Sequence, residues 1–461
     1  MKEKREVFEK MPVAKALATL AVPTIISQLI SMIYNLADTF FIGLADSDSM
    51  TAASSVGFTL LFMLNCIPNL FGVGGGSLIS RLLGQKKESD ASRVSAFSFY
   101  CTMAASLVYS LAVLGLIYVD PVMKLVGASA DSIGYVREYA IWVVVVGGIP
   151  TALSMTMSHL LRSEGLAKIA SIGLGLGGVL NIALDPLFMF VILKPGQEVM
   201  GAAIATMLSN VIVLIFFLIV YLKIRKGSVI SLDIRRISLG RSYVFQIFAV
   251  GIPSALGSFL ACMSNMVINS LANGYTPIYG DLPVASIGIA KKIDMLPMNV
   301  GFGLCQGMMP LVAYNFASGD HKRMRAVSRA ARTAAMIFAV ICLVAFQILA
   351  NQLVGIFSGE QMAADFLRIL CLAVPLMLFN LHISFTFQAM GMGKQSLILS
   401  SLRQGVVNIP LLFIMNAIFG LYGIVWTQLI SDIITAIISY FVYRHSMRKL
   451  MAKLETEVEK A

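Results

Sequence analysis

Five polar residues interrupt the first apolar stretch of this chain: Thr24, Gln28, Ser31, Asn35 and Asp38, at spacings of 4, 3, 4 and 3. On an α-helix that spacing makes one stripe. Tyr34 lies one turn before Asp38, where its hydroxyl can donate to the carboxylate. A later apolar stretch carries Asn181 and Asp185 at i, i+4, again on one face, with Pro186 directly after them. Proline removes a backbone donor and so frees the carbonyl near Ile182. Ionisable groups inside a lipid-crossing helix are costly and face a bundle interior or a water-filled cavity. Two carboxylates, an amide and a free carbonyl suit a proton or a small cation. Its binding changes the local charge and hydrogen bonding, which favours one helix conformation over another.

Other polar residues have blander roles. Thr24 and Ser31 suit interhelical hydrogen bonds. Asp294 has Lys291 and Lys292 beside it, and a Lys291–Asp294 pair at i, i+3 would neutralise both. Asp432, by contrast, lies mid-helix opposite Asn210 in the repeat and stands as a second-half rival for the coupling role. His382 reads as a hydrogen-bonded core residue, and Arg403, near the cytoplasmic end of its stretch, as a snorkelling side chain. The six cysteines (Cys66, Cys101, Cys262, Cys305, Cys342 and Cys371) show no CxxC spacing and read as small core residues, with no disulfide frame or zinc site. There is no G-x-x-x-x-G-K-[ST], no HExxH and no G-x-S-x-G, so neither ATP binding nor hydrolysis is supported and no cofactor is expected. The run GVGGGS at 72–77 suits a kink or close helix packing.

The elements that must position these residues follow from composition. Of 461 residues, 58% are hydrophobic and 13% charged, with a mean hydropathy of +0.83. Soluble domains carry roughly 25% charged residues, so lipid is the main solvent here. That excludes a soluble enzyme, a nucleic-acid-binding protein and a disordered scaffold. About 20 apolar residues cross a bilayer as a helix, and twelve such stretches are present: 15–43, 54–80, 94–119, 136–160, 168–193, 200–222, 244–273, 284–316, 327–350, 366–391, 396–418 and 420–443. The first is too long for a signal peptide and lacks a cleavage pattern. With the N-terminus in the cytoplasm, 28 of the 35 Lys and Arg fall in inner segments, including those at 81–93 and 162–168. Lys124, Arg137, Lys194 and Arg368 fall outside. The net charge of +11 is therefore a topology signal that places both termini in the cytoplasm of a multi-pass cell-membrane protein. Nucleic acid is not needed to explain it.

The basic loop at 223–243 divides the chain into a six-helix lobe at 1–222 and another at 244–443, followed by a cytoplasmic tail at 444–461. The halves align weakly. Pro23 falls on Pro253, Pro150 on Pro375, Asn181 on Asn408, and Gly201 on Gly423; RLLGQKKESDASRV from Arg81 falls on YNFASGDHKRMRAV from Tyr314. Six crossings per half give both halves the same orientation, so a parallel pseudo-two-fold repeat with a cavity between the lobes is expected. Asn35 has Asn265 as its counterpart, but Asp38 falls on Ile268 and Asp185 on Leu412. Ion coupling is therefore expected in the first lobe. Gln28, Ser31, Asn35, Asn265 and Asn408 are the candidate lining of the substrate cavity. The 27 Met and 27 Phe suit adaptable apolar pockets and favour neutral or cationic amphiphiles.

The segments VPTIISQLISMIYNLADTFFIG at 22–43, PNLFGVGGGSLISRLLG, LNIALDP, GAAIAT, MMPLVAYNFASGD and GLYGIVWTQLISD at 420–432 resemble the multidrug and toxic compound extrusion (MATE) transporters, in particular the MepA-like exporters. The resemblance covers nearly the whole chain. It implies twelve transmembrane helices in two six-helix lobes arranged as a V, and a single chain that exports drugs or dyes in exchange for H+ or Na+. It also implies a first-lobe cation site at Asp38, Asn181, Asp185 and Thr206. Another branch of the family has a carboxylate early in the seventh helix; here that stretch, GIPSALGSFLACMSN, has none. The alternative is a lipid-linked-precursor flippase on the related fold, which calls for basic cavity residues and often extra helices.

Overall fold

The computed structural model describes residues 2–44, 48–121, 123, 131–237, 239–280, 282–357 and 360–459. Lys124 and Lys460, counted above among the outer and inner basic residues, lie outside them. The first lobe begins with a short helix α1 (Lys2–Glu9) and continues with α2 (Val13–Gly43), α3 (Asp48–Leu64), α4 (Gly74–Gly84), α5 (Glu88–Leu116), α6 (Ile133–Ala140), α7 (Gly148–Ser163), α8 (Ala167–Pro186) and α9 (Glu198–Ile224). The second lobe comprises α10 (Arg241–Asn273), α11 (Leu282–Ala317), α12 (His321–Gly355), α13 (Gln361–Cys371), α14 (Val374–Ala389), α15 (Gly393–Ser401) and α16 (Asn408–Glu459).

These helices make twelve crossings. Eight described helical runs are long and apolar enough to span a bilayer, and two bent pairs, α6 with α7 at 50° and α13 with α14 at 46°, raise that to 10. The run 393–450 holds 58 residues, roughly 85 Å at the rise of an α-helix, far more than a bilayer is thick. It contains two crossings, because Gly420 adopts φ 61, ψ −143 and breaks the helix. The twelfth is α11, which carries Lys291, Lys292 and Asp294 in its first half. The lipid side is lined by exposed apolar residues such as Val108, Val191, Ile348 and Phe441.

Among the described residues four crossings contain a π-helical turn, at Asn69–Val73, Ile141–Val146, Leu187–Ile192 and Leu402–Val406. The third follows Pro186 directly, where the missing N–H already interrupts the hydrogen-bond ladder.

The lobes meet at one end. There α2 packs on α11, and α10 on α4 and on the turn Asn69–Val73. Glycine permits the close approach: a Cβ on Gly307 would lie 2.4 Å from Ala21 Cα, and one on Gly251 would lie 2.0 Å from Leu70 O. The run at 72–77 does the same, since a Cβ on Gly74 would lie 2.4 Å from Ile247 O. At this end α1 also clasps the second lobe. Phe8 stacks on Tyr314, and Arg323 donates to the carbonyls of Phe8 and Met11 at 2.6 Å each.

Candidate functional site

Helix α2 lies between the lobes, against α8 on one side and α11 on the other. Its contact with α8 uses the glycine-rich stretch GLGLGG: Cβ atoms on Gly175 and Gly178 would meet Ile30 at 3.2 and 2.7 Å. This close packing brings the polar stripe of α2 to the Asn181–Asp185 face of α8. Helix α9 closes the other side through the small residues Ala202, Ala205 and Thr206, all buried.

Asn181, Asp185 and Thr206 are joined directly. Asn181 Nδ2 donates to Asp185 Oδ1 at 3.1 Å and to Thr206 Oγ1 at 3.2 Å. Asp185 is fully buried, and Asn181 and Thr206 are 3% and 8% exposed. Asp38 is half-buried and lies within electrostatic reach of Asp185. Three oxygens here, Asp38 Oδ1, Asp185 Oδ2 and Asn181 Oδ1, are buried and receive no hydrogen bond. Buried acceptors are normally satisfied. A cluster with more acceptors than donors suits a proton or a hard cation that takes oxygen ligands.

Tyr34 sits beside this cluster, but among the described residues no hydrogen bond joins it to Asp38. Its ring is turned toward α8, where a Cβ on Gly178 would lie 3.1 Å from it. Tyr139, which sequence reasoning missed, is 2% exposed and feels the charges of Asp38 and Asp185. Its ring fills the space over Gly57, where a Cβ would lie 2.2 Å from the ring. Its sequence signal was weak, an aromatic hydroxyl next to Arg137 and Glu138 near the start of its crossing.

The expected cavity residues fall in separate places. Gln28 reaches across the lobe contact, its Nε2 3.3 Å from Gln306 Oε1. Asn35 donates to Ser31 O at 2.8 Å within α2, and both are half-buried. Thr24 likewise donates within its own helix, to Leu20 O at 2.8 Å, because its buried hydroxyl reaches the preceding turn; the expected interhelical bond is not made. Asn265 accepts from Lys291 Nζ at 2.7 Å. Asn408 is 2% exposed and accepts from Ser264 Oγ at 2.9 Å. Lys291 and Asn408 line one small second-lobe pocket, otherwise mostly apolar.

Five charged residues depart from expectation: Arg403, Lys291, Asp294, Arg81 and Arg162. Arg403 does not snorkel to the surface: its Nε donates to the fully buried Asp432 Oδ1 at 2.8 Å, which compensates both charges inside the lobe. Gln428 Nε2 donates to Asp432 Oδ2 at 2.7 Å, and Asn380 Nδ2 lies 3.3 Å from Oδ1. Lys291 and Asp294 form no ion pair within 4.0 Å among the described residues, because Asn265 takes the ammonium. Arg81 and Arg162, counted with the cytoplasmic loops, are 8% and 4% exposed because the closed lobes cover them. His382 is 2% exposed with Nε2 3.1 Å from Ser328 Oγ, a hydrogen-bonded core histidine as expected.

The profile of the family described as MatE matches residues 23–187 and again 253–414, so the internal repeat is a repeat of that family's unit. The Multidrug export protein MepA of Staphylococcus aureus (strain MRSA252) is 34% identical over 440 residues, covering 94% of each chain. That of Staphylococcus saprophyticus is 34% identical over 441 residues, again covering 94% of each. A crystal structure of MATE in complex with MaL6 aligns with a TM-score of 0.89 at 24% identity, covering 98% of this chain and 100% of that one. An outward-facing multidrug resistance MATE family transporter of the MOP superfamily aligns with a TM-score of 0.86 at 24% identity, covering 98% and 99%. At that identity the two structures carry the fold: two six-helix lobes in a V.

Proposed function

Since this chain belongs to the MatE family, we propose that it is a secondary active multidrug antiporter of the cell membrane. It exports amphiphilic drugs, cationic or neutral, in exchange for H+ or Na+. Membership makes it a transporter rather than an enzyme. It works as a monomer with both termini in the cytoplasm, an orientation supported by the distribution of Lys and Arg. In that orientation the lobes are closed toward the cytoplasm and the captured conformation faces outward.

The observation that carries this reading is the excess of acceptors at Asp38, Asp185 and Asn181. A proton or Na+ entering from outside supplies what the three oxygens lack. Thr206 and Asn181 orient the Asp185 carboxylate, while Asp38 brings the second charge from α2. Because α2 also packs on α11, a change at Asp38 is felt at the contact that holds the lobes closed. Cation binding and lobe parting are thereby coupled through one helix. Gln28, Ser31, Asn35, Asn265 and Asn408 are proposed to face substrate during the cycle. Among these, Gln28 is freed only when the lobes part.

The test is dye efflux from energised vesicles, with pH and sodium gradients imposed separately. Efflux driven by one gradient in the wild type, and lost in Asp38→Asn and Asp185→Asn, is the expected result. Undiminished transport in both variants contradicts the site. Flux insensitive to either gradient contradicts antiport.

A further inference from the structure

Two guanidinium groups lie where the lobes meet, Arg81 at the end of α4 and Arg162 at the end of α7. Arg81 Nε lies 3.4 Å from Ser77 O, and its Nη1 presses on the second lobe where a Cβ on Gly391 would lie 1.6 Å away. Arg162 Nη1 donates to Gln306 Oε1 of the second lobe at 3.0 Å. Its Nε and Nη2, like Arg81 Nη2, are buried and meet no acceptor. Among the described residues neither arginine has a carboxylate within ion-pair distance. Arg162 lines a small interlobe cavity together with Ser80, His159, Ser163 and Gln306. None of these neighbours supplies negative charge. Gln306 Oε1 is already shared with Gln28, and Ser80 Oγ is spent on Ser163 O at 2.8 Å.

Arginine keeps its charge at any physiological pH. A buried charge without a partner is strongly destabilising, and Arg162 is 96% covered when the lobes are closed (4% exposed). Its free groups, Nε and Nη2, form one edge of the guanidinium fork, the geometry that holds an anion with two parallel hydrogen bonds. One positive charge and one fork edge suit a monovalent anion better than a doubly charged phosphate. We propose that this interlobe cavity binds a small monovalent anion, chloride or bicarbonate, on Arg162. The anion is enclosed when the lobes close at this end and released when they part. It stabilises the closed arrangement independently of the acid cluster, because Gln306 ties the arginine to the opposite lobe.

The test uses the full chain in lipid nanodiscs at constant sodium and constant ionic strength, with gluconate exchanged for chloride, bromide or bicarbonate. A halide-dependent rise in melting temperature that disappears in Arg162→Gln and persists in part in Arg162→Lys is the expected result. A rise with bicarbonate alone, lost in the same variant, identifies bicarbonate as the anion. The same melting temperature in all four salts overturns the proposal, as does a halide effect that survives Arg162→Gln. Should Arg162→Gln fail to fold, bromide-soaked crystals of the wild type decide the matter: an anomalous peak at Arg162 supports the site, and no peak at saturating bromide contradicts it.

Discussion

The two lobes descend from one repeated unit, yet they handle buried acids in opposite ways. In the second lobe Asp432 is fully buried and receives hydrogen bonds from Arg403 and Gln428, so its charge is compensated. In the first lobe Asp185 is equally buried, but among the described residues its one donor is the neutral Asn181, and one oxygen of each of Asp38, Asp185 and Asn181 has no partner. Asp294 also leaves an oxygen unpartnered, but with Lys291 and Arg403 in electrostatic reach. A compensated acid stabilises a lobe in one arrangement. An uncompensated one is suited to take a proton or a cation, the coupling role proposed for Asp38 and Asp185.

This contrast can be broken most severely in the first lobe. Asp38→Asn combined with Asp185→Asn should reduce gradient-driven dye transport to background, while the melting temperature stays the same or rises, because two repelling carboxylates are removed. A large loss of stability there would make the acids structural. In the second lobe the expected effect is the reverse. Arg403→Leu leaves Asp432 buried and unpaired, which costs about 3–5 kcal/mol of stability for a broken buried pair. Adding Asp432→Leu should restore most of the melting temperature, a recovery that a denaturation series on both variants would detect. Smaller effects are expected from the residues that orient Asp185. Asn181→Ala and Thr206→Val should each raise the proton or sodium concentration needed for half-maximal transport several-fold, with maximal rate less affected. Tyr34→Phe should change transport least, since its hydroxyl makes no bond to Asp38; a large defect in initial-rate assays would show that the bond forms elsewhere in the cycle.

Much of this contrast was legible in the sequence. The spacing of the polar stripe on α2 and the Asn181–Asp185 pair follow from helical periodicity, which depends only on local order. The expected span 15–43 differs from α2 by two residues at one end, and 244–273 from α10 by three. Pairing over long sequence distances was not legible. Arg403 finds Asp432 29 positions away, through helix packing that no local pattern encodes. Arg81 and Arg162 resembled loop cations because they end their helices; only lobe closure buries them. The π-helical turns were also hidden, apart from the one that Pro186 sets up. Tyr139 joins the acid cluster because Gly57 leaves room for its ring, a contact between residues 82 positions apart.

The most direct measurement is cation counterflow in proteoliposomes. Dye movement would be used to drive protons or sodium in the opposite direction through three proteins: the wild type, Asp38→Asn/Asp185→Asn, and Arg403→Leu/Asp432→Leu. Counterflow that vanishes with the first-lobe pair and persists with the second-lobe pair is the predicted result. Counterflow that persists without Asp38 and Asp185, or is lost only with Arg403 and Asp432, would contradict it.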